Sequence, residues 1–145
     1  MSRSAVDNGQ NASVAATSAG YSGKPFHEKA GLKPGMILFV ENAPADLDLG
    51  GHTHTSRLPK QADCILFFTT DRKRLEKRFP TLIERTVTNG MIWICWPKKA
   101  SKVPTDLDEN VVRDLGLELG VVDVKVAAVD EIWSALKFVR RLKDR

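Results

Sequence analysis

The sequence predicts one α/β domain, built on a reduced, mostly parallel five-stranded sheet with flanking helices. Two continuous apolar runs of strand length, Asp63-Cys64-Ile65-Leu66-Phe67-Phe68 and Met91-Ile92-Trp93-Ile94-Cys95-Trp96, carry that prediction. Strands without polar alternation are buried on both faces, and parallel sheets covered by helices are where such strands occur. Between the runs lies a helical stripe of Leu75, Phe79, Leu82, Ile83 and Val87, so strand and helix alternate along the chain. Length agrees, because 145 residues with 42% hydrophobic content supply one core.

Residues 1–20 hold only Arg3 and Asp7 as charges and no aromatic, so they bury too little to offset the entropy of ordering. They are expected to form a disordered tail, with 21–145 as the single domain. The tail lacks the apolar centre of a secretory signal, and two cysteines make no disulfide framework. No apolar stretch approaches the ~18 residues of a membrane span. These features point to a soluble protein of the reducing cytoplasm, with no membrane contact. A net charge of +4 favours solubility and weak polyanion affinity without specifying a partner.

Pro25 at a first helical position and Gly31 beyond the end mark a short helix over 25–30. Lys33-Pro34-Gly35 then turns into a strand over 36–42. Asp71 is placed to cap the striped helix, which Pro80 should kink or divide by removing a backbone donor. Asn89-Gly90 reads as a stop before the strand over 91–96. Thr105-Asp106-Leu107-Asp108 resembles a capping box and starts a helix that ends near Gly120. Two last strands, 121–128 and 135–142, surround a turn at 130–134.

The words Leu32-Lys33-Pro34-Gly35-Met36-Ile37-Leu38-Phe39-Val40, Asp63 to Phe68, Thr88-Asn89-Gly90-Met91-Ile92-Trp93-Ile94 and the terminal strand pair resemble strands one, four, five, six and seven of a Rossmann-like methyltransferase. Residues 21–145 also resemble a small bacterial family of unknown function. Tyr21-Ser22-Gly23-Lys24-Pro25, Trp96 to Ser101, Val103 to Leu107 and Trp133 to Val139 are the matching words. That second resemblance brings no activity with it.

Departures from the methyltransferase pattern matter more. Adenosyl cofactors in such folds sit on a glycine-rich turn after the first strand, with an acid at the end of the second strand on the ribose. Here Glu41-Asn42-Ala43-Pro44 follows the first strand, and Gly50-Gly51 lies well beyond its end. Only residues 43–62 separate that strand from Asp63, enough for one crossover and no more. The expectation is therefore a Rossmann-like sheet in order 1-2-3-5-4, the last strand antiparallel, without a standard adenosyl cofactor.

Ligands of open α/β sheets bind outside the carboxyl ends of the strands. The candidates on that rim are Asn42, Thr70, Asp71, Lys98, Lys99, Ser101, Lys102, Trp133 and Ser134. Lys98, Lys99 and Lys102 beside a helix start at Thr105 would attract a phosphate or carboxylate. Against this, Asp106, Asp108 and Glu109 already answer the helix dipole, and a solvated lysine loop is the bland alternative. Trp96 and Trp133 can stack on a planar ligand or simply complete the core.

Weaker constellations are set aside. His52 and His54 lack the cysteine or carboxylate that would complete a metal site, so no metal is expected. Cys64 and Cys95 on neighbouring strands fall ~10 Å apart along the sheet, too far for a disulfide. Ser101 and Ser134 have no histidine beside them and no nucleophile elbow. The basic residues of 71–88 and the C-terminus suit a wet helix face, and without a recognised module nucleic-acid binding is not favoured.

The sequence thus reads as a binding or regulatory module, with an anionic small molecule as one candidate partner. The alternative is a small transferase-like enzyme with Asp71 or Asp130 as base and Lys98 or Lys99 stabilising developing charge. A weak nucleic-acid binder is a further alternative. Thin cover over strands 36–42 and 63–68 also suggests a homo-oligomer or protein partner at an apolar face bordered by Phe26 and Leu49.

Overall fold

The computed structural model describes residues 23–145; the tail expected over 1–20 lies outside the described residues. The elements are α1 (Phe26–Lys29), β1 (Leu38–Glu41), β2 (Ala62–Phe68), α2 (Arg72–Glu84), β3 (Thr86–Pro97), α3 (Glu109–Glu118), β4 (Val121–Ala128) and β5 (Trp133–Arg140). Short 3-10 turns occupy Lys99–Ser101 and Leu142–Asp144. The five strands form one sheet in the order β1-β2-β3-β5-β4. β1, β2 and β3 are parallel neighbours, while β5 runs antiparallel to both β3 and β4. The expected α/β architecture, strand order and antiparallel last strand are all present.

Both faces of the central strands are buried, as their unbroken apolar runs demand. On one face Leu75, Phe79 and Leu82 of α2 and Val112 and Leu115 of α3 meet Ile65, Phe67, Ile92, Ile94 and Phe138. The other face packs Leu38, Val40, Cys64, Leu66, Phe68 and Trp93 under Phe26, Ala30 and Leu32, with Leu47 and Leu49 closing the margin. Phe26 is 4% exposed and Leu38 is 3% exposed. The thin cover expected there is therefore corrected: α1, its following turn and the 43–49 loop bury the strands, with Leu49 half-buried at the margin.

The β1–β2 crossover contains no helix. Instead Thr55 pairs with the outer edge of β1, donating its N–H to the Leu38 carbonyl at 2.9 Å and accepting from the Val40 N–H at 3.1 Å. This stub satisfies backbone groups that an edge strand would leave open.

Four local expectations are corrected. Pro80 neither divides nor ends α2, which runs on to Glu84; the missing donor falls opposite the Glu76 carbonyl. Val87 belongs to β3, not to the helical stripe. Asn89-Gly90 lies inside β3, at a register shift between Ala62/Thr86 and Cys64/Met91. A Cβ on Gly90 would stand 2.9 Å from the Asp63 carbonyl oxygen, so glycine permits the backbones to approach at this bulge. The last strand starts at Trp133 rather than Ala135, because Asp130 Oδ1 accepts the Ile132 and Trp133 N–H groups at 2.8 and 2.7 Å and tightens the preceding turn.

Candidate functional site

The carboxyl ends of β1, β2 and β3 form the predicted rim, and the chain's own groups close it. Asn42 leaves β1 in a left-handed conformation at φ 62°, which asparagine tolerates. Its Nδ2 donates to the Phe68 carbonyl at 3.1 Å and ties the ends of β1 and β2 together. Beside it, Glu41 takes two guanidinium groups from α2, Arg74 at 2.5 Å and Arg78 at 2.6 Å. These arginines lie four residues apart and so share one helix face.

The N-terminus of α2 is closed twice. Asp71 Oδ1 accepts the Lys73 N–H at 3.0 Å, and Asp106 Oδ1 accepts the Arg72 N–H at 2.8 Å. A carboxylate from a distant loop thus occupies the place where a helix end would receive a ligand anion. Thr105 fastens that loop, its Oγ1 donating to the Thr70 carbonyl at 2.6 Å and accepting the Leu107 N–H at 3.1 Å. The helix expected to begin at Thr105 begins at Glu109, with Asp108 accepting the Val111 N–H at 2.9 Å. Thr105 makes a side-chain turn, which competes with helix formation.

The rim lysines do not stand beside a free helix start. Lys98 is half-buried and its backbone N–H donates to the Ile132 carbonyl at 2.7 Å. Lys99 and Lys102 are exposed, Lys102 holding a left-handed φ of 61° after the 3-10 turn. Ser101 Oγ donates to the Lys98 carbonyl at 2.6 Å and accepts the Val103 N–H at 3.2 Å, so its hydroxyl shapes the loop.

Trp133 and Ser134 are neighbours on β5 and so face opposite sides of the sheet. Trp133 packs edge-on against Phe68 at 5.2 Å between centroids, whereas Ser134 pairs in register with the buried Trp96. Trp96 is buried in one core cluster, and Trp133, half-buried, packs against the other. Asn42, Thr70, Asp71 and Ser101 are thus brought onto the rim as structural fastenings, while Trp133 and Ser134 are separated.

Burial pushes the Cys64 thiol up to about 12 and raises Cys95 well above the ordinary thiol range, so neither is an activated nucleophile. Register sets Cys95 opposite Phe68, four residues beyond Cys64, too far for a disulfide. Among the described residues no group of three or more His, Cys, Asp or Glu side chains is arranged to hold a metal. No helix there is long and apolar enough to cross a membrane.

Two features of the rim escape a sequence reading: the Glu41–Arg74–Arg78 cluster and the Asp106 cap. The arginine spacing on one helix face is the only local signal among them.

The sheet order and its helical cover define a methyltransferase-like α/β fold. The chain is similar to magnesium protoporphyrin IX methyltransferase from Synechocystis PCC 6803. Against the structure with bound SAM the TM-score is 0.59 at 9% identity, over 80% of this chain and 75% of that one. Against the structure with bound SAH it is 0.56 at 10% identity, over 80% and 78%. At such identity the likeness is one of fold alone. No family model matches the chain. No curated protein matches it either.

Proposed function

We propose that the chain is a small binding or regulatory module on a methyltransferase-like sheet that has no adenosyl-cofactor site. One observation carries this reading: the carboxyl end of the sheet is fastened internally. Asn42 reaches across to Phe68, and Asp71 with Asp106 occupies the first turn of α2. A cofactor entering there would have to displace protein carboxylates from backbone donors. Asp71 and Asp130, the bases of the enzymatic alternative, each use Oδ1 to accept backbone N–H groups. The buried thiols suit a reducing compartment. The reading that residues 21–145 belong to a small bacterial family rests on the sequence words at 21–25, 96–101, 103–107 and 133–139.

Titration calorimetry with S-adenosylmethionine tests the reading. No saturable heat tighter than about 1 mM, worth ~4 kcal/mol, is expected. A micromolar isotherm abolished by Asn42→Ala would overturn it and restore a transferase.

A further inference from the structure

Two loops meet at the amino end of β1. Thr55 pairs in parallel with the outer edge of that strand, opposite Phe39, so the residues before it, 50–53, come level with 34–37. Among the described residues no backbone hydrogen bond joins these two stretches, and a cavity of about 330 Å³ opens between them. Its floor is apolar, made by buried Leu32 and Leu38 and half-buried Met36. Lys33 and His52 also line it, and none of the lining residues is acidic.

The walls are held in place by the chain itself. The Leu32 N–H donates to the His27 carbonyl at 3.2 Å, which fixes the floor to the end of α1. Gly50, left-handed at φ 62°, lies so close to the His27 imidazole that a Cβ there would stand 2.5 Å from the ring. The His52 ring lies 6.0 Å from the same imidazole, centroid to centroid. Asp48 turns Oδ1 to the Gly50 N–H at 2.8 Å and so tightens the loop from outside the cavity. A Cβ at the lining residues Gly35 or Gly51 would meet nothing within 4 Å, so both leave their backbone open to approach.

Size and charge define what fits. Ligand pockets run from ~300 to ~1,000 Å³, which puts this cavity at the small end. Lys33 is exposed and makes no ion pair among the described residues. An unpaired ammonium at the mouth of an apolar cavity suits a carboxylate whose apolar body reaches the floor, and the His52 imidazole offers a further polar contact.

We infer that this cavity binds a small carboxylic acid as its anion, with a compact apolar body on Leu32, Met36 and Leu38 and the carboxylate at Lys33. The inference rests on the reading of the chain as a binding module and gives that module a ligand class. The site lies at the opposite end of β1 from the closed rim, so the two are tested apart.

Benzoate is the probe, titrated into the full chain at constant ionic strength and followed by amide chemical shifts, with benzamide as the uncharged control. Saturable shifts are expected with a dissociation constant of about 1 mM or tighter, centred on Leu32, Lys33, Met36, Gly51 and Thr53. Lys33→Gln, an exposed substitution, should keep the melting temperature while weakening benzoate by about tenfold, to the level of benzamide. The rim pair Lys99→Gln and Lys102→Gln should leave benzoate binding unchanged. The inference is overturned by the absence of saturable shifts, by equal binding of benzoate and benzamide to the unaltered chain, or by undiminished benzoate binding in Lys33→Gln. None of those results touches the closed rim, whereas shifts centred on Asn42, Thr70 and Asp71 would overturn both readings. Tighter binding of inorganic phosphate, lost in Lys33→Gln, would overturn the assignment to a carboxylate.

Discussion

Asp106 Oδ1 accepts the backbone N–H of Arg72 at 2.8 Å, so a loop residue 34 positions downstream completes the first turn of α2. Asp71 serves the Lys73 N–H in the same turn. Together they satisfy two of the four donors that a helix start leaves open. Asp106→Ala is therefore expected to cost about 1 kcal/mol, as for loss of a cap, and Asp106→Asn much less. Urea denaturation reads the difference; an unchanged midpoint for Asp106→Ala would show that the contact is not made in solution.

Gly116 faces the ring of Phe138, and a Cβ there would stand 2.2 Å from the ring's nearest carbon. Phe138 is itself fixed edge-on against Phe79 at 5.2 Å between centroids. With no room to yield on either side, Gly116→Ala should destabilise by ~1–3 kcal/mol despite alanine's better helix propensity. A stabilised variant would mean that α3 sits farther from β5.

Glu41 is 15% exposed in its side chain and holds both Arg74 and Arg78. Glu41→Gln leaves two guanidinium groups facing a neutral amide, and a loss of about 1 kcal/mol is expected. Arg78→Ala should cost more than Arg74→Ala, because Arg78 is the less exposed partner. Equal melting temperatures in all three variants would remove this cluster from the account of how β1 and α2 are joined.

Burial holds Cys64 at about 12 against an ordinary 9.0 and raises Cys95 as well. Above pH 9 the unfolded chain gives up thiol protons that the folded chain keeps. Their stabilising contribution is thus full below pH 9 and is lost as pH rises toward 12. Lys29 acts in the opposite sense, its lowered pKa letting stability rise with pH until its ordinary 10.5. Cys64→Ala should flatten the alkaline decline between pH 9 and 12, whatever its effect at neutral pH. A thiol reagent at pH 8 should label neither cysteine in the folded chain and both after unfolding; rapid labelling of the native protein would contradict their burial.

The parts of the fold that the sequence reveals are those whose burial leaves a local signature. Ile65 to Phe68 and Met91 to Trp96 are apolar without alternation because both their faces are covered, and Leu75, Phe79 and Leu82 repeat with the helix period. The strand order follows from the short 43–62 connection. The start of α3 is not legible in the same way, because Thr105 and Asp108 are both good caps and only the bond from Thr105 to the Thr70 carbonyl decides between them. Asn89-Gly90 is ambiguous for a similar reason, since a stop and a bulge use the same residues. The rim's closure rests on pairings across 26 to 37 positions, Asn42 with Phe68 and Glu41 with Arg78, which no local pattern encodes.

Closure of the rim is the central claim, and amide chemical-shift mapping with S-adenosylmethionine at millimolar concentration tests it most directly. Asn42, Thr70, Asp71 and Arg72 are expected to keep their native resonances throughout the titration, as fastened structural residues do. Saturable shifts at these four positions, with loss of the Arg72 amide's hydrogen bond to Asp106, would contradict the account.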